Sequence, residues 1–162
     1  MVAARAGGMG AHGNKGWRLS KEGRLFRCVS TFRDRQKKIS ACLGGGVNLA
    51  YAVFDGAQLK GAEFKNARGA AVSFRNAKME NAQVGETSFT SPDFTGAHIR
   101  AASLELTVSP GAIFDGANID GTDFKSASLD RASWKGTTGI MSALFEMATG
   151  ALPPGVSTAN TG

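Results

Sequence analysis

A large apolar residue recurs at every fifth position from Leu49 to Trp134. The series runs Leu49, Phe54, Leu59, Phe64, Gly69, Phe74, Met79, Val84, Phe89, Phe94, Ile99, Leu104, Ser109, Phe114, Ile119, Phe124, Leu129, Trp134. Only Gly69 and Ser109 lapse. The position two before each is small, from Val47 through Ala52, Ala57 and their successors to Thr137, and the 91-residue register holds without one insertion. A period of five fits neither the 3.6-residue period of a helix nor the two-residue alternation of a simple strand. It marks a repeat array, in which each unit buries its apolar residue against its neighbours.

The units Ala57-Gln-Leu-Lys-Gly61, Ala117-Asn-Ile-Asp-Gly121 and Ala127-Ser-Leu-Asp-Arg131 show the pattern at its clearest. In this register the stretch 47–137 resembles the pentapeptide-repeat family, whose unit is A(D/N)LXX. The resemblance implies an all-β fold, a right-handed quadrilateral β-helix in which four pentapeptides make one coil of twenty residues. For function it implies little, because one fold hosts many roles.

A spacing of twenty sorts the apolar series by side-chain type. One column stacks Phe54, Phe74, Phe94, Phe114 and Trp134, a candidate structural core, and a second stacks Leu59, Met79, Ile99 and Ile119. The third holds Phe64, Val84, Leu104 and Phe124; the fourth holds Leu49, Gly69, Phe89, Ser109 and Leu129. Coils one strand spacing apart, roughly 4.8 Å, bring such positions into contact. Among outward positions, Lys60, Glu80, Arg100 and Asp120 alternate in charge, as cross-rung pairs on a solvated face should.

The two lapses share the fourth column, and Pro110-Gly111 follows the second. Outward positions nearby carry Leu106, Val108 and Ile113 where polar residues are expected. Two readings stay open. An exposed apolar cluster marks a partner surface, whereas a local bulge at Pro110-Gly111 would fold these residues inward.

The expected organisation is a basic arm over 1–45, the repeat β-helix over 46–138, a short capping helix over 139–150 and a flexible tail over 151–162. Ile140, Met141, Leu144 and Phe145 form the apolar stripe of the expected helix, with Gly150 as its stop. It would cover the Trp134 end of the β-helix. In the arm, Leu25, Phe26, Val29 and Phe32 lie on one helical face, amid Arg24, Arg27, Arg33, Arg35, Lys37 and Lys38.

Charge is segregated along the chain. Residues 1–45 hold ten of the nineteen Lys and Arg against Glu22 and Asp34, a net of +8, while residues 47–137 carry nine basic and ten acidic groups, a net of −1. Three readings of the arm stay open: an organelle-targeting peptide, an anchor to an acidic protein or membrane surface, or a cap on the first coil. Ile39-Ser40-Ala41-Cys42 resembles a plastid processing site. The two cysteines, Cys28 and Cys42, both lie in the arm, so no disulfide framework holds the repeats. No segment approaches the ~20 apolar residues of a membrane helix.

Catalytic chemistry finds little support. Gly8, Gly10 and Gly13 satisfy G-x-G-x-x-G but leave no room for the strand that must precede it. The histidines are His12 and His98, and the register places His98 outward between Lys78 and Asn118, with no orienting carboxylate. The two Cys and two His lack metal-ligand spacing, so no cofactor, metal or catalytic residue is expected. The chain reads as a non-catalytic interaction or scaffold subunit, and the family resemblance together with the arm implies docking on a larger plastid assembly, a photosynthetic complex among the candidates, at the stroma or thylakoid surface. A cytoplasmic location is the alternative. The family resemblance implies a second functional reading, a DNA-mimicking topoisomerase inhibitor, disfavoured by the near-neutral repeats. Nucleic-acid binding through the basic arm is a third, disfavoured by its few aromatic residues.

Overall fold

The computed structural model describes residues 48–156, together with the backbone of three short strands nearer the N-terminus. These are β1 (Arg5–Ala6), β2 (Trp17–Leu19) and β3 (Leu25–Arg27). β2 and β3 pair antiparallel. Of the helical face expected in the arm, Leu25 and Phe26 therefore lie in a strand, while Val29 and Phe32 fall outside the described residues. Bulky apolar and aromatic side chains suit an extended backbone as well as a helix, so spacing alone did not discriminate.

From Asn48 onward the chain winds into a β-helix of parallel rungs. Bridges join Asn48 to Arg68, Val53 to Ser73, Gln58 to Lys78 and Glu63 to Gln83, each pair twenty residues apart. One coil thus takes four pentapeptides. Most rungs are single bridges; the fourth side is more strand-like, where β5 (Arg68–Ala70) pairs in parallel with β6 (Ser88–Thr90). β4 (Ala52–Val53) of the first described coil accepts β1 as an antiparallel neighbour.

Most pentapeptides make the same set of backbone bonds, so the buried polar backbone is satisfied unit by unit, with Pro92, which has no N–H, an exception at its corner. Phe74 N–H donates to Asp93 O at 2.7 Å, Asn76 N–H to Thr95 O at 2.9 Å, and Asp93 N–H back to Val72 O at 2.9 Å. The corner is closed by Ala77 N–H donating to Phe74 O at 3.0 Å. The residue two after each central position is left-handed, from Tyr51 (φ 62) to Gly136 (φ 67). Gly and Asn occupy many of these corners because a Cβ there is costly; Tyr51, Leu106 and Arg131 occupy others.

The central residues fill the interior. Phe74, Phe94 and Phe114 are fully buried and stack with centroids 5.0 and 5.1 Å apart, nearly parallel. Phe54 extends the column below at 5.2 Å and Trp134 above at 4.4 Å. Phe64 and Phe124 meet the column edge-on at 5.4 and 5.5 Å. Offset and edge-on contacts add roughly 0.5–1.5 kcal/mol each beyond the area they bury.

Both lapses have a physical cause. At Gly69 the backbones of adjacent coils approach so closely that a Cβ would lie 2.8 Å from the Ala50 nitrogen. At Ser109 the interior turns polar. Thr107 Oγ1 lies 2.7 Å from Thr87 Oγ1 and 3.3 Å from Ser109 Oγ, and Thr87 donates to the Val84 carbonyl at 2.8 Å. No bulge forms there: the rung continues from Ser88 through Val108 to Ser128.

The capping helix expected over 139–150 is not formed. Only Ile140–Ser142 is helical, a single 3-10 turn after the left-handed Gly139 (φ 83). That turn absorbs one extra residue, after which the repeat resumes. Asp123 pairs with Leu144 and β7 (Ser128–Leu129) with β8 (Thr149–Gly150), both twenty-one residues on. Phe145 stacks on Phe124 at 5.0 Å, and Ala148 takes the small inward position. Burial in a further coil satisfies Phe145 more completely than one stripe of a short exposed helix could. The end of the aromatic column is covered instead by residues 151–156. Trp134 Nε1–H donates to the Ala151 carbonyl at 2.6 Å, and Leu152 and Val156 pack on the core.

Candidate docking surface

Outward side chains of each pentapeptide stand at the residue before the central one and at the two that follow it. Four columns of such positions define four sides, numbered here from Phe54. The first side carries Asp55, Asp93 and Asp115 against Arg75 and Lys135; the second carries Glu80 and Asp120 against Lys60, Lys78 and Arg100. The fourth is nearly uncharged, with Arg68, Asp130 and Arg131 near its ends. The third side, with the corner that follows it, carries Glu63, Glu86, Glu105, Asp123 and Glu146 against Lys65 and Lys125, five carboxylates to two ammonium groups.

Both lysines of the third side are engaged. Lys65 Nζ lies 2.7 Å from Glu86 and Lys125 Nζ 3.0 Å from Glu146. Hydrogen bonding to those carboxylates, reinforced by their charge, raises both lysine pKa values above 10.5. Gly85, which has no side chain, leaves a notch of about 170 Å³ among Glu63, Lys65, Glu86, Glu105 and Leu106. On the second side, Arg100 pairs with Asp120 at 3.1 Å.

The first side shows a different device. Asp115 accepts from Ser133 Oγ at 2.6 Å and from the Lys135 backbone N–H at 2.9 Å, tying one coil to the next. Asp55 repeats this with Ser73 and Arg75 three coils below. The Ser133 hydroxyl, the Lys135 N–H and the Lys135 charge hold the Asp115 pKa below its ordinary 3.8, against the opposing pull of burial.

Large exposed apolar side chains among the described residues are Tyr51, Leu106, Val108, Met141, Leu144 and Met147. Five of the six surround the third side. Leu144 stands on it and Met141 at the corner before it, 95% exposed. Leu106 and Met147 share the corner after it, two rungs or roughly 10 Å apart, and Val108 lies just beyond that corner. Leu106 and Met147 are both left-handed, at φ 58 and φ 56. A large side chain at such a corner costs on the order of 1–2 kcal/mol relative to glycine, so these positions keep apolar groups on the surface at some expense to the fold.

The structure therefore joins two of the three apolar positions singled out in the sequence. Leu106 and Val108 adjoin across one corner. Ile113 is half-buried and stands apart on the first side, in the column of Asp93 and Ser133. Sequence reasoning missed Met141, Leu144 and Met147 by assigning them to a helix; the A-x-F pattern at 143–145, twenty-one residues past 122–124, was the available signal. Arg27 lies in the backbone strand β3, and Arg24, Arg33, Arg35, Lys37 and Lys38 fall outside the described residues. His98 is exposed in the rung between Lys78 and Asn118. Among the described residues, no group of three or more His, Cys, Asp and Glu is placed to hold a metal ion, and no helix is long and apolar enough to cross a membrane.

Residues 45–68 and 93–131 match the family model for pentapeptide repeats in 8 copies. The unmatched gap spans the lapse at Gly69 and the atypical Thr87 and Pro92. The matched stretches are pentapeptide repeats, a unit that folds as a right-handed β-helix. No curated protein matches it in sequence. Solved structures similar to it include QnrB1, a plasmid-mediated fluoroquinolone resistance protein, at 15% identity and TM-score 0.37, over 70% of this chain and 71% of that one. Rfr23, a pentapeptide repeat protein from the cyanobacterium Cyanothece 51142, is similar at 19% identity and TM-score 0.34, over 73% and 92%. A pentapeptide repeat protein from the Arabidopsis thaliana thylakoid lumen is similar at 24% identity and TM-score 0.25, over 66% and 69%.

Proposed function

We propose that the protein is a non-catalytic docking rod, a scaffold subunit that attaches to a larger assembly through the side of its four-sided β-helix. The observation that supports this most directly is the gathering of Leu106, Val108, Met141, Leu144 and Met147 around one side. Scattered surface apolar residues are ordinary, but a concentration of them on one side of a rigid element is what a partner surface requires. The parallel rungs suit the task. A rod whose side chains are fixed by stacked neighbours loses little conformational freedom on binding, so more of the contact energy remains as affinity.

Location belongs to the same proposal. An Arg-rich, acid-poor arm over 1–45 supports delivery to a plastid, at the stroma or thylakoid surface, where the rod would join its assembly.

Isolation of the full chain from its native source tests the docking reading. The expected result is co-migration with partner proteins in fixed stoichiometry, well above the monomer mass. A monomer at every step, under conditions that preserve known complexes of that source, overturns it. Intact-mass measurement on the same material tests the location: loss of residues 1 to about 41 is expected for a processed plastid protein, and a full-length mass argues for the arm as an anchor or cap.

A further inference from the structure

We infer that the third side, with the corner shared by Leu106 and Met147, is a docking strip for a cationic polypeptide segment whose Lys or Arg residues are interleaved with large apolar side chains. This rests on the docking reading above and names its surface and the chemistry of its partner.

Three observations converge on the strip. Its apolar groups are large and exposed, and two of them occupy left-handed corners where Gly or Asn would stabilise the fold more. Its net charge is negative, since five carboxylates face two lysines, each of which already holds a carboxylate of the same side. Its notch at Gly85 lies beside Leu106 and between Glu86 and Glu105, so an apolar anchor and an acidic contact are offered side by side.

Charge decides between occupants. A second copy presenting the same strip would bring carboxylates against carboxylates, and like-charge juxtaposition suppresses such pairing. The second and fourth sides of another copy's β-helix carry only one more basic than acidic group each, too little to complement the strip; its basic arm over 1–45, net +8, is tested below as dimerisation. A segment alternating cationic and apolar residues meets both features at once. Rungs recur at roughly 4.8 Å, so the strip from Glu63 to Leu144 extends about 19 Å, the length of about six residues of extended chain.

Fluorescence anisotropy with the full chain and a labelled synthetic peptide of alternating Lys and Leu tests the inference. A Lys-only peptide and a Glu–Leu peptide serve as comparisons. The Lys–Leu peptide is expected to bind tightest. Leu106→Asn with Met147→Asn, which suits the left-handed corners and so preserves the fold, is expected to weaken binding at least about tenfold, as is Glu86→Gln with Glu105→Gln. Glu80→Gln with Asp130→Asn, which removes equal charge from other sides, should change it less than about twofold. The inference is overturned if the full chain does not bind the peptide, if the control variant weakens binding as much, or if the Lys-only peptide binds equally well. Concentration-dependent dimerisation abolished by Leu106→Asn with Met147→Asn would assign the strip to a second copy instead. Should the native complex form undiminished with these variants, docking stands and this choice of side fails.

Discussion

A methyl group on Gly69 would lie 2.8 Å from the Ala50 nitrogen, 2.9 Å from the Leu49 carbonyl carbon and 3.1 Å from Val72 Cγ2. Two of those atoms belong to the backbone of the coil below and cannot turn aside. Gly69→Ala is therefore expected to lower unfolding free energy by about 1–3 kcal/mol, the range for overpacking, as measured by urea denaturation; an unchanged midpoint would show that the coils can separate at no cost. Leu106→Asn should act in the opposite direction, gaining about 1 kcal/mol by relieving a bulky left-handed residue, in the same protein that loses peptide affinity. Asp115 gives stability its acid dependence on the first side. Its folded pKa lies below the ordinary value, so the stabilisation is complete above that value and lost as pH falls through the folded one. Wild type should thus lose more stability than Asp115→Asn between about pH 5 and about pH 2. Parallel pH profiles for the two proteins would mean that the Ser133 and Lys135 bonds contribute nothing.

At the scale of the element, the aromatic column carries the coils. Phe94 is fully buried with Phe74 and Phe114 stacked on its two faces, so Phe94→Ala removes two ring contacts and opens a cavity between rigid rungs. An expected loss of about 3–5 kcal/mol follows, read by thermal or chemical denaturation, and a loss below about 1 kcal/mol would mean that the neighbours collapse to fill the space. This column was legible in the sequence because period five and spacing twenty act on the same residues. The outward placement of Leu106, Val108 and His98 was legible for the same reason. The last coil was not. Ile140, Met141, Leu144 and Phe145 satisfy helical spacing, and the single extra residue accommodated at Ile140–Ser142 shifts the period just where that stripe begins. What selects the coil is tertiary: Phe145 gains a ring stacked at 5.0 Å on Phe124, and Ser142 Oγ–H donates to Asp120 at 2.5 Å. The charge of the third side was hidden differently. Net charge summed along the chain mixes four sides, whereas only columns twenty residues apart share a surface.

The whole molecule behaves as a stack in which each coil contacts only its neighbours, and this sets where it opens first. Central coils have a partner above and below, while the last is held from one side. Beyond its backbone rungs to 122–129 and the Ser142–Asp120 bond, its attachments include the Phe145–Phe124 stack, the Lys125–Glu146 pair, which is exposed and contributes little, and the Trp134–Ala151 hydrogen bond. Its closing strand depends on Gly150, where a Cβ would lie 2.5 Å from both the Asp130 nitrogen and the Leu129 carbonyl carbon. Native-state hydrogen exchange should accordingly rank the amides, with Phe94 and Phe114 among the slowest and those of 144–151 well ahead of them. Gly150→Ala should release the terminal coil alone, raising exchange from Leu144 to Ala151 while leaving Phe94 and Phe114 protected as before. Because Leu144 and Met147 stand on that coil, the same variant should also weaken the Lys–Leu peptide, without any change to an acidic residue of the strip. Uniform loss of protection along the rod would instead show that the coils open as one cooperative unit, and affinity would then fall only in proportion to the unfolded fraction.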